Sequence, residues 1–269
     1  MAANKFKCSV CGYVHEGDQA PDKCPQCFAP KEAFEKIEEG APAKKGIDTN
    51  SNAYTIIYAA VMVIIVAFLL VFVSSSLKER QDNNVVQDTK SQILASLNVS
   101  SVDVARAYDD YIKMDWLMNE DGSLVKNDGE FSTSYKGEFN SGRLHIFQAD
   151  VEGDTKYIIP MNGLGLWGAI WGYVALNADK KTVYGVYFSH ASETPGLGGE
   201  IATEYFQDRF AGKTVMKDGQ IVLNVTKFGT AKDAECQVDG VSGATITSKG
   251  VNSMIATVLE SYKPFLLSK

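Results

Sequence analysis

The 269 residues leave room for one sizeable domain and a smaller one, and 33 Asp and Glu against 26 Lys and Arg set a net charge of −7. That balance excludes the basic footprint on which nucleic-acid binding depends. Basic and acidic residues cancel over residues 1–45, so the acidic excess belongs to the remainder, where it reads as a solvated surface.

The chain opens with two Cys-x-x-Cys pairs, Cys8 with Cys11 and Cys24 with Cys27. Each pair forms a tight knuckle that presents two thiolates to one ion, and two knuckles make a tetrahedral S4 site suited to iron or zinc. About 40 residues are too few to fold on an apolar core alone, so the metal is expected to supply much of this module's stability. Two disulfides are the alternative, disfavoured by the paired spacing and by the lack of a signal peptide before the cysteines. His15, between the knuckles, reads as a surface residue and not as a fifth ligand.

After the module at residues 1–37, residues 38–52 mix charge with Gly, Ala, Pro, Ser and Asn and show no apolar period, which reads as a linker. Residues 53–73 carry no charge. About 21 residues at a 1.5 Å rise span about 32 Å, enough to cross a bilayer core, so one transmembrane helix is predicted. Its length and internal position do not suit a cleaved signal peptide. The positive-inside count is a tie, Lys36, Lys44 and Lys45 against Lys78, Arg80 and Lys90. Four free cysteines are most safely metallated in the reducing cytosol, so the N-terminal module is expected in the cytoplasm and residues 74–269 outside.

Within residues 74–269, apolar spacing predicts helices over 84–97 and 102–114, followed by a polar loop over 119–134. The period then changes to two, predicting strands over 144–149, 157–159, 167–176 and 183–188, with Asp179, Lys180 and Lys181 forming a tight turn. Helices are expected over 200–210 and about 248–262. The fold class is thus α+β: a small metal module, one transmembrane helix, and a mainly antiparallel domain. His145 and His190 read as packed or surface residues and Trp167 as core. Cys236 stands alone on the oxidising side, as a buried free thiol or, less simply, one shared with a neighbouring subunit through a disulfide or metal.

Asp239-Gly240-Val241-Ser242-Gly243-Ala244-Thr245-Ile246-Thr247-Ser248 joins a strand-like run to a helical one in which Val251, Ile255, Val258 and Leu259 recur. Thr245 arrives just ahead of a helix N-terminus, where unpartnered amides and the positive end of the macrodipole stabilise a phosphate. Gly243 and Ala244 keep the turn open to a bulky ligand. By themselves, Ser242, Thr247 and Ser248 could equally be ordinary caps with Thr245 incidental. A second stretch, residues 193–199, has three Gly and one Pro in seven, an exposed backbone able to lie against a planar ligand.

The string Asp239-x-x-Ser242-Gly243-Ala244-Thr245 resembles the signature of bacterial proteins whose threonine carries FMN through a phosphoester. With Glu193-Thr194-Pro195-Gly196-Leu197-Gly198-Gly199 and Gly163-Leu164-Gly165-Leu166-Trp167, it makes residues 53–269 similar to the C subunits of Na+-translocating NADH:quinone oxidoreductases. The resemblance implies covalent FMN on Thr245, with Asp239, Ser242, Gly243 and Ala244 read by a flavin transferase and Glu193, Thr194, Leu197 and Gly198 touching the flavin. It implies an electron relay within a six-subunit complex of the bacterial inner membrane, moving electrons from NADH to quinone with Na+ export, the flavin domain periplasmic and lipid around the span. Residues 6–34 resemble the rubredoxin-like domain of rubrerythrins, through Cys11-Gly12-Tyr13-Val14-His15, Ala20-Pro21-Asp22-Lys23-Cys24-Pro25 and Ala29-Pro30-Lys31-Glu32-Ala33-Phe34. They depart from it at Phe28, where glycine usually follows the knuckle; the turn often needs a left-handed residue, which a bulky side chain makes costlier. Iron and zinc both stay open. No acid–base pair or nucleophile is visible, so no catalytic residue is assigned and the site is expected to pass electrons. The G subunit of the related ferredoxin:NAD+ oxidoreductase shares the motif, and a membrane-tethered assembly protein with a zinc ribbon is the reading from another class.

Overall fold

The computed structural model describes residues 4–37, 49, 51–129 and 131–268, so most of the linker expected over 38–52 lies outside the described residues. The chain divides into two compact units, Met1–Val73 and Ser74–Lys269.

In the first unit, β1 (Lys5–Cys8) pairs antiparallel with both β2 (Val14–Glu16) and β3 (Phe34–Ile37). Its core is small: Cys8, Cys24 and Ala29, with Tyr13, Cys27, Ala33 and Phe34 packed around them. Both knuckles close in the same way, Gly12 N donating to Cys8 O and Phe28 N to Cys24 O, each at 2.9 Å. Gly12 (φ 77°) and Phe28 (φ 60°) accordingly share the left-handed conformation. With a Cβ that conformation costs about 1–2 kcal/mol, and the Phe28 ring, 77% exposed, recovers little by packing.

The helix α1 (Asn52–Ala95) runs for 44 residues without Gly or Pro and covers both the expected span and the helix expected over 84–97. Polar residues after Val73 do not interrupt it, because Ser, Lys, Glu, Arg and Gln are tolerated in helices where Gly and Pro are not. Ser51 Oγ accepts from Tyr54 N (3.1 Å) at its start. At its end Asn98 (φ 59°) turns left-handed, Val99 N donates to Leu94 O and Asn98 N to Ala95 O, a Schellman stop. This helix is long and apolar enough to cross a membrane, and the apolar residues of its first half are exposed.

The second unit is built on α2 (Val104–Tyr111), β4 (Ile112–Met118), β5 (Leu124–Lys126), α3 (Tyr135–Asn140), β6 (Leu144–Val151), β7 (Asp154–Leu164), β8 (Ala169–Asn177) and β9 (Val183–His190). The six strands form one antiparallel sheet in the order β5-β4-β6-β7-β8-β9. The helix expected over 102–114 stops at Tyr111, because Ile112, Met114, Trp116 and Met118 alternate with Lys113, Asp115 and Leu117 and enter the sheet. Part of the expected loop over 119–134 is β5, which pairs with the end of β4. The turn at Asp179-Lys180-Lys181 forms as expected: Lys180 has φ 59°, and Asp179 Oδ1 accepts from Lys181 N and Thr182 N.

Beyond β9 the helix expected over 200–210 is broken into a 3-10 turn (Gly198–Ala202), α4 (Glu204–Gln207) and a second 3-10 turn (Asp208–Phe210). Thr203 makes the break, with an extended backbone (φ −86°, ψ 147°) and its hydroxyl donating to Glu200 O (2.7 Å). Two short pairs follow: antiparallel β10 (Met216–Lys217) with β11 (Gln220–Ile221), and parallel β12 (Asn224–Thr226) with β13 (Gln237–Asp239). The chain ends with α5 (Thr245–Ser261) and α6 (Lys263–Leu267).

Period-two alternation divides the core between the two sheet faces. On one, Phe147, Ala149, Ile158, Tyr173 and Ala175 meet Ile93 and Leu94 of α1, Leu97 in the turn after it, and Tyr108 of α2. On the other, Ile146, Ile159, Met161, Ile170 and Val174 meet Val251, Met254, Ile255 and Val258 of α5. α5 lies close against the end of β7: a Cβ on Gly163 would stand 2.8 Å from Met254 Cβ, and one on Gly250 would collide with Leu164 O. That close approach carries the N-terminus of α5 to the β7–β8 hairpin tip.

Candidate functional site

Thr245 is the first residue of α5 and is exposed, and among the described residues its hydroxyl has no hydrogen-bond partner. The first backward bond of the helix is Ser248 N to Ala244 O (2.9 Å), so the amides of Thr245, Ile246 and Thr247 precede it and stand open at the positive end of the macrodipole. The preceding turn is fixed from inside by Ser248, whose buried hydroxyl donates to Ala244 O and accepts from Val241 N, both at 2.9 Å. Gly243 has φ +76°, and a Cβ there would meet Leu197 Cδ2 at 2.9 Å. Ser242 is exposed beside it and Ala244 is buried.

The glycine-rich loop reaches the same helix end. Glu193, 3% exposed, accepts from Thr247 Oγ1 (2.6 Å) and from Trp167 N (2.7 Å). Burial alone would raise its pKa, but the Thr247 hydroxyl and the amides of Trp167, Leu166 and Gly168 hold it below the usual carboxylate range. Thr194 O accepts from Leu197 N and Gly199 N and so closes the loop, and Gly198 leaves the space that Glu193 and Thr247 occupy. The structure thus brings Glu193, Leu197, Gly198, Gly243 and Thr245 together around the start of α5. Leu164, Leu166, Trp167, Leu197 and Ile246 are exposed in the elements that meet there. Trp167, expected in the core, is 66% exposed, because the hairpin tip carries it past the end of the sheet.

Asp239 turns to the other side. Its Oδ1 accepts from Ala231 N (2.9 Å) and Thr230 N (3.0 Å), and Arg209 Nη1 donates to its carbonyl (3.0 Å). The Ala231 amide, with those of Thr230 and Gly229, keeps its pKa low against desolvation. His190 Nδ1 accepts from Glu193 N (3.1 Å), and His145 is packed at 3.0 Å from Asp115 Oδ1. Cys236 is half-buried and donates to Asp233 Oδ2 (3.4 Å). Thr247 and Ser248, which by sequence could equally be ordinary caps, hold the site together through Glu193 and the turn at Val241; the legible signal is the run of hydroxyls, Thr245, Thr247 and Ser248, in the first turn.

In the N-terminal unit the sulfurs of Cys8, Cys11, Cys24 and Cys27 all lie within 4.8 Å of one another. Cys8 and Cys27 are 3.7 Å apart and Cys11 and Cys24 3.6 Å apart. Metal–sulfur bonds of about 2.3 Å in a tetrahedron give about 3.8 Å, so the donor set fits one ion. Desolvation opposes ionisation of Cys24, yet the amides of Cys27 and Gln26 bring it down to about 7. The Ala29 amide favours a thiolate on Cys27, but desolvation and the other three sulfurs push it up to about 12. Crowding by the neighbouring sulfurs thus works against ionisation of Cys11 and Cys27 beside Cys8 and Cys24.

Two families match this chain: "FMN-binding domain" over residues 165–260 and "Rubrerythrin, rubredoxin-like domain" over residues 6–35. It is 30% identical over 236 residues to the C subunit of the Na(+)-translocating NADH-quinone reductase of Neisseria meningitidis, covering 79% of this chain and 91% of that one. The corresponding C subunit of Vibrio alginolyticus is 30% identical over 216 residues, covering 71% and 84%. Among solved structures, the C subunit of the same reductase from Parabacteroides distasonis is 40% identical with a TM-score of 0.67, covering 72% of this chain and 98% of its own. Shewanella oneidensis NqrC, 22% identical with a TM-score of 0.56, shares the fold.

Proposed function

Because the chain belongs to the C-subunit family of the Na(+)-translocating NADH-quinone reductases and carries an FMN-binding domain, we propose that Thr245 holds FMN as a phosphoester and that this flavin relays electrons while partner subunits export Na+. One observation carries the reading: an exposed hydroxyl that has no hydrogen-bond partner among the described residues stands at the open amide end of α5. In forming the ester, Thr245 Oγ1 replaces one substituent on the phosphorus of an activated flavin nucleotide and its proton leaves with the displaced group. The chain then weighs more by FMN less one water.

Bound there, FMN supplies the redox chemistry. The chain's own residues supply the rest. The amides of Thr245, Ile246 and Thr247 stabilise the phosphate, Ser242, Gly243 and Ala244 with Asp239 form the turn that a flavin transferase reads, and Glu193, Thr194, Leu197 and Gly198 form the loop beside it. The exposed apolar side chains of Leu164, Leu166, Trp167, Leu197 and Ile246 suit a planar, largely apolar ring and limit water around it.

In the same reading Cys8, Cys11, Cys24 and Cys27 hold one iron or zinc ion, and iron would let the module exchange electrons. Residues 1–37 form that module on the cytoplasmic side, 38–52 a linker, 53–73 the lipid-embedded span, and 74–269 the flavin domain outside. One span cannot form an ion path, so the Na+ route belongs to other members of a six-subunit assembly. The test is the intact mass of the chain matured with a flavin transferase. The wild type should carry one FMN less water and fluoresce in a denaturing gel, and Thr245→Leu should do neither. An unmodified wild-type mass, or a fluorescent Thr245→Leu band, overturns the proposal.

A further inference from the structure

Glu193 is more than nine-tenths buried, yet among the described residues no cation pairs with it. A carboxylate taken out of water without a counter-charge is costly unless donors surround it. Here Thr247 Oγ1 meets Oε2 at 2.6 Å and Trp167 N meets Oε1 at 2.7 Å, with the amides of Leu166 and Gly168 turned to the same group. Space is reserved for it on two sides: a Cβ on Gly165 would stand 2.5 Å from Oε1, and one on Gly198 would overlap Oε2. Three segments distant in sequence, the β7–β8 hairpin tip, the loop after β9 and the first turn of α5, thus converge on one anion. If packing alone were served, a neutral acceptor of the same shape would do so at lower desolvation cost. Thr247 lies two residues beyond Thr245 in the same helical turn, so whatever orients one orients the other.

We propose that Glu193 and Thr247 are positioning residues of the flavin site: their hydrogen bond holds the first turn of α5 so that Thr245 faces outward for attachment, and the buried negative charge lowers the midpoint potential of the FMN attached there. This rests on the reading of Thr245 as the attachment residue. The charge acts because adding electrons to a flavin near a fixed anion is opposed by Coulomb repulsion, least screened where water is excluded. The hydrogen bond acts because the Thr247 hydroxyl is the α5 group that ties the first turn to the Gly-rich loop.

The experiment uses the full membrane-anchored chain matured with its flavin transferase, with attachment followed by in-gel fluorescence and the flavin potential by redox titration. Thr247→Val removes the hydroxyl at nearly constant shape, and attachment should slow roughly tenfold; Thr247→Ser should restore it. Glu193→Gln keeps the geometry, since an amide can accept from Trp167 N and donate to Thr247 Oγ1, and it removes the charge. That variant should be flavinylated and show a raised midpoint potential, a change that a merely structural role would not produce. Wild-type attachment in Thr247→Val, or a wild-type potential in Glu193→Gln, rejects the proposal. Should Thr247→Val not accumulate folded, the potential of Glu193→Gln decides alone. Thr245→Leu keeps the two readings apart: a flavinylated Thr245→Leu removes the attachment site itself, whereas a dark Thr245→Leu beside a wild-type Thr247→Val removes only the positioning role.

Discussion

Glu193 and Asp239 are acidic residues whose carboxylates are held by hydrogen-bond donors, and among the described residues neither pairs with a cation. Both have pKa values below their ordinary ones, for Glu193 with burial opposed by the Thr247 hydroxyl and nearby amides, for Asp239 through the Ala231 amide first. A carboxylate with a depressed folded pKa adds stability that is complete above its unfolded value and is lost as pH falls through the folded one. Thermal stability of residues 74–269 is therefore expected to be flat above about pH 5 and to fall below the ordinary glutamate value of 4.5. Glu193→Gln should flatten part of that fall, as read by melting temperature between about pH 3 and pH 6; an acid limb as steep as wild type would show that Glu193 is not ionised in the fold. The motif Asp239-x-x-Ser242-Gly243-Ala244-Thr245 itself was legible as sequence. The role of Thr247 was not, because its partner lies 54 positions away and only the fold brings them together.

At the scale of elements, α5 is the piece that the site depends on, and its contact with β7 is closer than side chains would allow. Gly250 sits inside the helix, where Ala would ordinarily be better by about 1 kcal/mol. A Cβ there would run into Leu164 O, a backbone atom that cannot rotate away. Overpacking of this kind costs about 1–3 kcal/mol, so Gly250→Ala is expected to lower the melting temperature by a few degrees and to shift the hairpin tip that carries Trp167. A variant as stable as wild type, or more so, would mean that helix and hairpin are less closely packed. The other elements show where local pattern prevails and where it yields. Apolar spacing over 102–114 suits a helix until Ile112, after which alternation and the open edge of β6 draw the chain into the sheet. Over 200–210 the composition is helical throughout, and the break at Thr203 comes from a side-chain bond that competes with the helix.

For the whole molecule, the two units carry separate chemistries. Among the described residues the N-terminal core is three buried residues, two of them cysteines, a core small enough that a bound ion would be expected to supply much of the module's stability. Cys8→Ser combined with Cys27→Ser should abolish the one metal ion per chain found by elemental analysis of the purified protein, and flavin attachment should persist. Full metal retention would reject the S4 site, and loss of flavin would reject the independence of the two sites.

By itself the amino-acid order determined the paired cysteines, the uncharged stretch at 53–73, the Ser242-Gly243-Ala244-Thr245 motif ahead of an apolar helix and the alternation that makes the sheet, because each is a local pattern written in neighbouring residues. Only the tertiary structure decided that the helix begun in the uncharged stretch ends at Ala95 and not before, that Trp167 is exposed, and that Glu193 faces Thr247 from a loop far away in the chain. Those features depend on close packing between segments distant in sequence, and the space that Gly165, Gly198 and Gly250 leave for it can be recognised only once the neighbours that fill it are in place.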